Sequence, residues 1–315
     1  MKLAVIMLAT ALVARFGAPA AAETRPVKIA YSAISAGIGG LWLTHEHGLF
    51  KRHGLESSLI YFRSGVTATQ ALLAGEIQFG HLSPGPIMTA WAQGADFVWI
   101  GTTTHRMVFT LVAEPAISRG EGLKGKKIGI TRLGSAADLA ARAALEHLGL
   151  TPKDVSLISM GGIPEILTGL RAGAVQAGIL SPPFSTSALD AGYRRLVFIP
   201  DLGKEFTFSG IAAKRDYVNA NTAVAQQFMA ALTEGAKIYR EDKSAALKVL
   251  KKYVHVEKES LLEAGYREYD NALTSPPYPS LRGLEAVRET LVETAPMLKN
   301  VDLRKFVDDR FVKTR

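Results

Sequence analysis

Apolar positions along this chain recur in two alternating rhythms. Short continuous runs at Val27 to Tyr31, Leu59 to Phe62, Ile77 to Gly80 and Phe97 to Gly101 read as strands buried on both faces. Between them, Leu41 to Phe50, Thr67 to Leu73 and Pro86 to Ala92 space their apolar residues as helices do, and Gly75 stops the second of these. A second series follows, with strands expected at Lys127 to Thr131, Val155 to Ser159, Ala177 to Leu180 and Arg195 to Ile199. Helices are expected at Ala136 to Leu148 and Pro164 to Leu170. The first should open on a capping box, "SAAD", in which Ser135 caps and Asp138 stands at the third helical position. Strands alternating with helices predict an α/β fold with mainly parallel sheets covered on both faces. From Thr222 onward the pattern becomes consecutive helices, such as "VAQQFMAALTEGAKIY" and "LEAVRETLVETAPML", which must pack on something already built.

The chain also repeats itself once. "LLAGEIQFGHLSP" (Leu72 to Pro84) and "LRAGAVQAGILSP" (Leu170 to Pro182) agree at eight of thirteen positions at an offset of 98. "KIAYS" at Lys28 and "KIGIT" at Lys127 echo each other at an offset of 99. Solenoid repeats have periods of about 20–50 residues, so a single repeat at this distance means two similar lobes or convergence on a common helix–glycine–strand turn. Two extended stretches, "FTLVAEP" (Phe109 to Pro115) and "FTFSGIAAKRDYV" (Phe206 to Val218), read as crossings between the lobes. Two crossings make a hinge of the kind that closes lobes around a ligand. The expected division is 23–112 plus 211–315 for the first lobe and 113–210 for the second, with two sheets joined by a two-strand hinge and a helical C-terminal segment.

The length of 315 residues suits two domains, and 48% hydrophobic with 21% charged residues excludes a disordered or fibrous chain. Residues 1–22 stand apart from the fold. Lys2 precedes a 12-residue apolar run (Leu3 to Ala14), and Ala20 and Ala22 form an A-x-A site. That reads as a secretory signal cut before Glu23, too short to span a bilayer, and it predicts an exported, periplasmic protein. Arg15, between the apolar run and the cleavage site, is untypical of such signals. The net charge is +8, or +6 without that segment, and it is spread along the chain, so no nucleic-acid partner is expected. Cysteine is absent, which excludes disulfides, thiolate metal sites, iron–sulfur clusters and cysteine nucleophiles.

Catalytic and cofactor motifs fail. "GEGLKGKK" (Gly120 to Lys127) lacks the Ser or Thr of a phosphate loop and precedes its strand. "SAISAGIGG" after the first strand lacks the third glycine of a dinucleotide fingerprint at the right spacing. There is no G-x-S-x-G elbow, and "HEHGLF" misses H-E-x-x-H. On a helix His45 and His47 would point about 200° apart, so they and His53 read as exposed polar residues with no shared metal. No catalytic residue, metal or cofactor is expected.

What remains are polar turns at strand C-termini, where open α/β sheets bind ligands and helix N-termini offer free N–H groups. The candidates are Ser32 and Ser35, Ser64 and Gly65, His81 and Ser83, Thr102 to His105 (Thr104 and His105 foremost), Arg132 and Ser135, Gly161 and Gly162, and Ser181 and Phe184. Each hydroxyl has a second reading as a helix cap. Arg132, Ser135, Thr104, His105, Ser64 and the Gly65 amide together would favour a small anionic group. The alternative reading is that Arg132 is a solvated rim residue and the ligand is neutral.

Three segments, "GLWLTHEHGLFKRHGLE" (Gly40 to Glu56), "ALLAGEIQFGHLSPGP" and "GLKGKKIGITRLGSAAD", resemble periplasmic substrate-binding proteins of ABC importers, in the branch for nitrate, sulfonates, taurine and thiamine-pyrimidine precursors. The tail "LRKFVDDRFVK" (Leu303 to Lys313) is similar to that branch's last helix. The resemblance covers nearly the whole chain after residue 22. It implies a two-lobed type II binding-protein fold, a small-molecule ligand between the lobes, a monomer, and delivery to a membrane permease driven by a separate ATPase. It leaves the ligand open. The alternatives are an enzyme on the same fold or a sensor protein that presents ligand to a receptor. Cysteine-dependent pyrimidine-precursor synthases are excluded by the absence of cysteine, and menaquinone-pathway enzymes of this fold work in the cytosol.

Overall fold

The structure is a computed structural model and describes residues 24–203 and 206–312. The expected signal segment and Lys313 at the end of the tail lie outside the described residues.

Two five-stranded sheets share one strand order. The first contains β1 (Arg25–Tyr31), β2 (Leu55–Tyr61), β3 (Phe79–Leu82), β4 (Phe97–Thr104) and β10 (Ser209–Lys214), in the order β2-β1-β3-β10-β4. The second contains β5 (Thr110–Ala113), β6 (Lys127–Ile130), β7 (Ser156–Ser159), β8 (Ala177–Leu180) and β9 (Arg194–Phe198), in the order β7-β6-β8-β5-β9. In each sheet the two outer pairings on one side are parallel. The strand arriving from the other lobe, β10 or β5, pairs antiparallel with both neighbours. The expected mainly parallel sheets are thus mixed sheets, because each lobe is completed by a strand running against the rest. The chain changes sheet between Thr104 and Thr110 and again between Phe198 and Ser209. The first change comes a few residues before the expected boundary at 112/113.

The sequence repeat has a structural reason. Gln78 and Gln176 occupy the same repeat position, just before β3 and β8. The Gln78 side chain accepts from the Lys28 backbone N–H at 2.8 Å, and the Gln176 side chain accepts from that of Lys127 at 3.1 Å. Each also donates its own backbone N–H to the same lysine's carbonyl, both at 3.0 Å. Before them, Gly75 (φ +77°) and Gly173 (φ +69°) turn the chain out of a helix in the left-handed region that favours glycine.

Around the first sheet stand α1 (Gly39–Glu46), α2 (Leu49–Arg52), α3 (Gly65–Leu73) and α4 (Pro84–Ala92); around the second, α5 (Ala136–His147), α6 (Ile163–Arg171) and α7 (Phe184–Asp190). The single helix expected over Leu41 to Phe50 is two, separated at Gly48 (φ +64°). The capping box is half made. Ser135 Oγ accepts from Asp138 N at 3.4 Å, but the Asp138 carboxylate turns to Gly134 N (2.9 Å) and Arg142 Nε (3.2 Å). His45 and His53 are half-buried instead of exposed, bound to Ser57 (2.8 Å) and Glu234 (3.0 Å).

The C-terminal segment supplies α8 (Arg215–Ala220), α9 (Thr222–Glu241), α10 (Lys243–Val254), α11 (Glu259–Asp270) and α12 (Leu281–Leu291). α9 and α10 pack on α1, with Phe228 stacked on Phe50 and Phe79 and Trp42 stacked on Tyr253. Gly235 lets α9 approach so closely that a Cβ there would overlap the Thr44 side chain. α11 reaches α7, and α12 touches both α4 and α5, so these two helices bridge the lobes. The tail is not a helix. After a 3-10 turn at Leu303–Lys305, Val307 forms a β-bridge to Trp99, and Asp302 and Asp308 bind Arg304 and Arg310 two residues on. Extended backbone laid along β4 has displaced the expected helix.

Candidate functional site

The C-terminal ends of β1, β3 and β6 open onto a cavity between the sheets. It measures about 50 Å³, room for a few waters or a small headgroup. The first lobe lines it with Ser32 and Ser35 after β1, Gly65 at the start of α3, and His81 and Ser83 around the end of β3. The second lobe contributes Thr131 and Ser135 before α5 and Ile163 at the start of α6. The floor is made by the crossings themselves. Phe109 and Phe208 meet edge to face with centroids 5.0 Å apart, and both line the cavity beside Ser209.

The N-termini of four helices with eight or more residues, α3, α4, α5 and α6, meet here. Gly65, Ser83, Ala136 and Ile163, which mark their starts, all line the cavity. The positive ends of their dipoles converge on one small volume, together with those first-turn N–H groups that Pro84, Pro86 and Pro164 do not remove and that Ser64 and Ser135 do not already bind. No Asp, Glu, Lys or Arg is among the lining residues. The Gly65 Cα faces the cavity closely. A Cβ built on it would lie 3.3 Å from Ser83 Oγ and 3.7 Å from Ser32 Oγ. Ser35 and Ser83 each precede a helix without capping it by a side-chain hydrogen bond, whereas Ser135 does cap α5 and also accepts from Thr131 Oγ1 at 2.8 Å.

His81 is 2% exposed, and burial alone pushes its imidazole down to a pKa of about 4, so it is neutral at pH 7. Its Nε2 lies 2.6 Å from Thr103 Oγ1, and its Nδ1 is buried with no hydrogen-bond partner. Behind Gly37, which also lines the cavity, stands the buried hydroxyl of Tyr269. That hydroxyl makes no hydrogen bond within 3.5 Å and lies near those of Ser35 and Ser181.

Of the residues expected at the site, Ser32, Ser35, Gly65, His81, Ser83 and Ser135 come together on the cavity wall. The others stand elsewhere. Ser64 is buried and caps α3 through Thr67 N at 3.4 Å. Thr104 is buried and accepts from Ser209 at 3.0 Å. His105 is half-buried and carries backbone bonds to Ala272 and Phe206. Ser181 is buried at the seam, and Phe184 is buried as the first residue of α7. Arg132 is exposed in the turn after β6. Of the expected Gly161 and Gly162, the second caps α6, and a Cβ on it would lie 3.0 Å from the Tyr61 hydroxyl of the first lobe. The sequence reading missed Thr131, Ser209, Phe109 and Phe208. A usable signal was the phenylalanine near the start of each crossing, Phe109 in "FTL" and Phe208 in "FTFS".

Contacts cross the cleft on several sides. Arg63 Nε faces Glu165 Oε1 at 3.8 Å, Lys258 Nζ meets Asp190 Oδ2 at 2.7 Å, and Ala36 N donates to Pro182 O at 3.5 Å. Tyr61, beside Arg63, has its hydroxyl pushed up to about 12 by burial and by Glu165. A larger groove of about 750 Å³ runs between α5 and α12. It is lined by charges of both signs, among them Arg106, Arg142, Glu146 and Glu293, and no α-helix begins among its lining residues. The smaller cavity is therefore the candidate site. Among the described residues, no group of three or more His, Asp or Glu is placed to hold a metal ion, and no helix is long and apolar enough to cross a membrane.

Two lobes of like topology, joined by two crossings and enclosing a cavity, define a two-lobed solute-binding protein. The chain belongs to the NMT1/THI5-like family, whose profile matches residues 35–246. It is 30% identical over 246 residues to an Escherichia coli (strain K12) protein provisionally named as aliphatic sulfonates-binding, covering 74% of this chain and 73% of that one. It is 23% identical over 270 residues to the taurine-binding periplasmic protein of the same organism, covering 80% and 82%. In three dimensions it is similar to the alkanesulfonate-binding protein of Xanthomonas axonopodis pv. citri bound to MOPS. There the TM-score is 0.79 and the identity 23%, over 92% of this chain and 100% of that one.

Proposed function

We propose that the chain is the extracytoplasmic solute-binding component of an ABC importer. It captures a small anionic solute between its lobes by hinge closure and hands it to a membrane permease driven by a separate ATPase. In this reading residues 1–22 are a signal cut near Ala22, and the protein works as a monomer in the periplasm. Its lobes are 23–112 plus 211–315 and 113–210. One observation carries the proposal: the N-termini of α3, α4, α5 and α6 converge with serine and threonine hydroxyls on a cavity whose lining holds no carboxylate. Such a wall offers donors and positive dipole ends to an oxyanion, and no negative charge to repel it. The relatives named for sulfonates and taurine put sulfonates first in the test.

The test is a thermal-shift screen of refolded, ligand-stripped protein against sulfonates, nitrate, carboxylates, amides and pyrimidines. A solute at 100 times its Kd adds about 2.7 kcal/mol. At about 2–4 °C per kcal/mol for a chain of this kind, the expected rise in Tm is about 5–10 °C. A flat response across the panel overturns the proposal, and a response confined to amides and pyrimidines overturns its anionic part.

A further inference from the structure

The groove of about 750 Å³ between α5 and α12 shares no lining residue with the solute cavity. Its volume lies within the range of about 300–1,000 Å³ usual for small-molecule sites. Two helix faces form its walls. Along α5 and just past it the lining residues run from Leu139 to Leu150 at intervals of three and one, and along α12 and the turn after it from Ala286 to Glu293 in the same way. Between these walls Met107, Leu139, Leu150, Ile199 and Phe206, all buried, supply an apolar floor. Around it stand the exposed residues Glu146, Asp201, Glu289 and Glu293. Among the described residues none of these four carboxylates has an ion-pair or hydrogen-bond partner. The basic side chains on the lining are Arg106, Arg142 and His147, and Arg142 Nε is already held by Asp138 Oδ1 at 3.2 Å.

An apolar floor rimmed by unpaired carboxylates fits one kind of guest. A single metal ion does not use it, because among the described residues no three such groups are placed to share one. An anion meets four like charges there, and a neutral apolar molecule leaves the carboxylates without partners. An aliphatic chain with an ammonium at each end answers both features. Its methylenes cover the floor while each ammonium pairs with a carboxylate at the rim, the division of labour seen in a lysine side chain. Glu289 and Glu293 lie four residues apart on one wall and Glu146 lies on the other, so the charges are spread as an extended guest requires. We propose that this groove is a second binding site and that it takes an aliphatic di- or polyamine. α5 covers the second sheet and α12 packs on α4 of the first, so the amine lies against both lobes, beside the second crossing and outside the cleft. The inference does not depend on which solute the cleft takes.

Calorimetry at low salt with hexane-1,6-diamine and spermidine tests it, with hexane-1,6-diol and hexanedioate as the neutral and anionic controls. Both amines should bind at least about tenfold more tightly than either control. The double variant Glu289→Gln, Glu293→Gln changes two exposed positions, so it should keep the wild-type Tm. It should lose at least about fivefold in amine affinity, the loss expected of two exposed ion pairs. Gly65→Val, which narrows the solute cavity, should bind the amines as wild type does. No amine binding, equal binding of the diol or the dioate, or binding untouched by the double substitution overturns the inference. Amine binding lost in Gly65→Val places the amine in the cleft and overturns it too, while the solute-binding reading stands. A dimer in sedimentation that the double substitution disperses means that a second copy covers the groove, and this also overturns it. A flat solute screen, by contrast, overturns the solute-binding reading and leaves this site untouched.

Discussion

Gly65 stands where α3 begins and lines the cavity. Its conformation is open to any residue, but the space beside its Cα is not, with two serine hydroxyls within 3.7 Å of where a Cβ would stand. Gly65→Val should therefore fold with a Tm close to wild type and lose at least about tenfold in affinity for the best solute of the screen, because two methyl groups would fill most of a small cavity. Arg132→Ala should leave that affinity within about threefold, since the side chain is exposed in its turn and does not line the cavity. Calorimetry on both variants checks the pair, and the reverse ranking would relocate the site. His81 carries a pH signature. Its ordinary pKa is about 6.5 and its folded value about 4, so the unfolded chain takes up the proton first as pH falls. Stability owed to the neutral ring is complete above pH 6.5 and is lost between pH 6.5 and 4, by about 3 kcal/mol at the lower end. Denaturant melts over that range should show the loss, and His81→Asn should flatten this part of it. At this scale the sequence told half the story. Polar residues after strand ends are legible because ligands gather there, but which way Arg132 points is decided by the turn's surroundings, which composition does not encode.

Ser64 and Ser83 both stand immediately before helices, and the sequence leaves cap and ligand contact open for each. The structure separates them. Ser64 Oγ accepts from Thr67 N at 3.4 Å and lies outside the cavity lining, whereas Ser83 makes no side-chain cap bond and lines the cavity. Ser64→Ala should cost about 1 kcal/mol of stability and little affinity. Ser83→Ala should do the opposite, with stability within about 0.5 kcal/mol and a measurable rise in Kd. Chemical melts and calorimetry on the two variants read both quantities, and matching behaviour would remove the distinction. The elements themselves were largely legible, because buried strands and amphipathic helices impose different periods on the chain. α7 escaped because Pro182, Pro183 and three hydroxyl residues mask its apolar face. The tail was misread because the helix came from the resemblance alone, while its contacts here do not suit one. Val307 is taken up by Trp99 on β4, and Asp302 and Asp308 bind backbone N–H groups two residues on, which favours turns.

On the scale of the whole molecule, two lobes of one topology meet through contacts of unequal strength. The crossings at Phe109 and Phe208 are buried and fixed in both sheets. Away from the crossings, the exposed ion pairs Arg63 with Glu165 and Lys258 with Asp190, each worth only about 0–1 kcal/mol, accompany the packing of α11 on α7 and of α12 on α4 and α5. Opening the cleft must part that helix packing as well as the ion pairs. The cavity of about 50 Å³ enforces that motion, since an organic solute cannot enter without separating Gly65 from Ser135 and Ile163 across it. Closure is then stabilised by what each solute adds between the lobes, not by the rim pairs. The absence of cysteine gives a direct test, because paired labels can be placed with no background. Spin labels on Arg63→Cys and Glu165→Cys, whose native side chains approach to 3.8 Å, should report a broad distribution with a long-distance component in ligand-stripped protein. Saturating solute should collapse that distribution to its shortest distance, and a Phe109→Ala hinge variant should broaden it again. A distribution unchanged by a solute that raises Tm would mean that binding occurs without lobe closure, and the hinge mechanism would fall while the site remained.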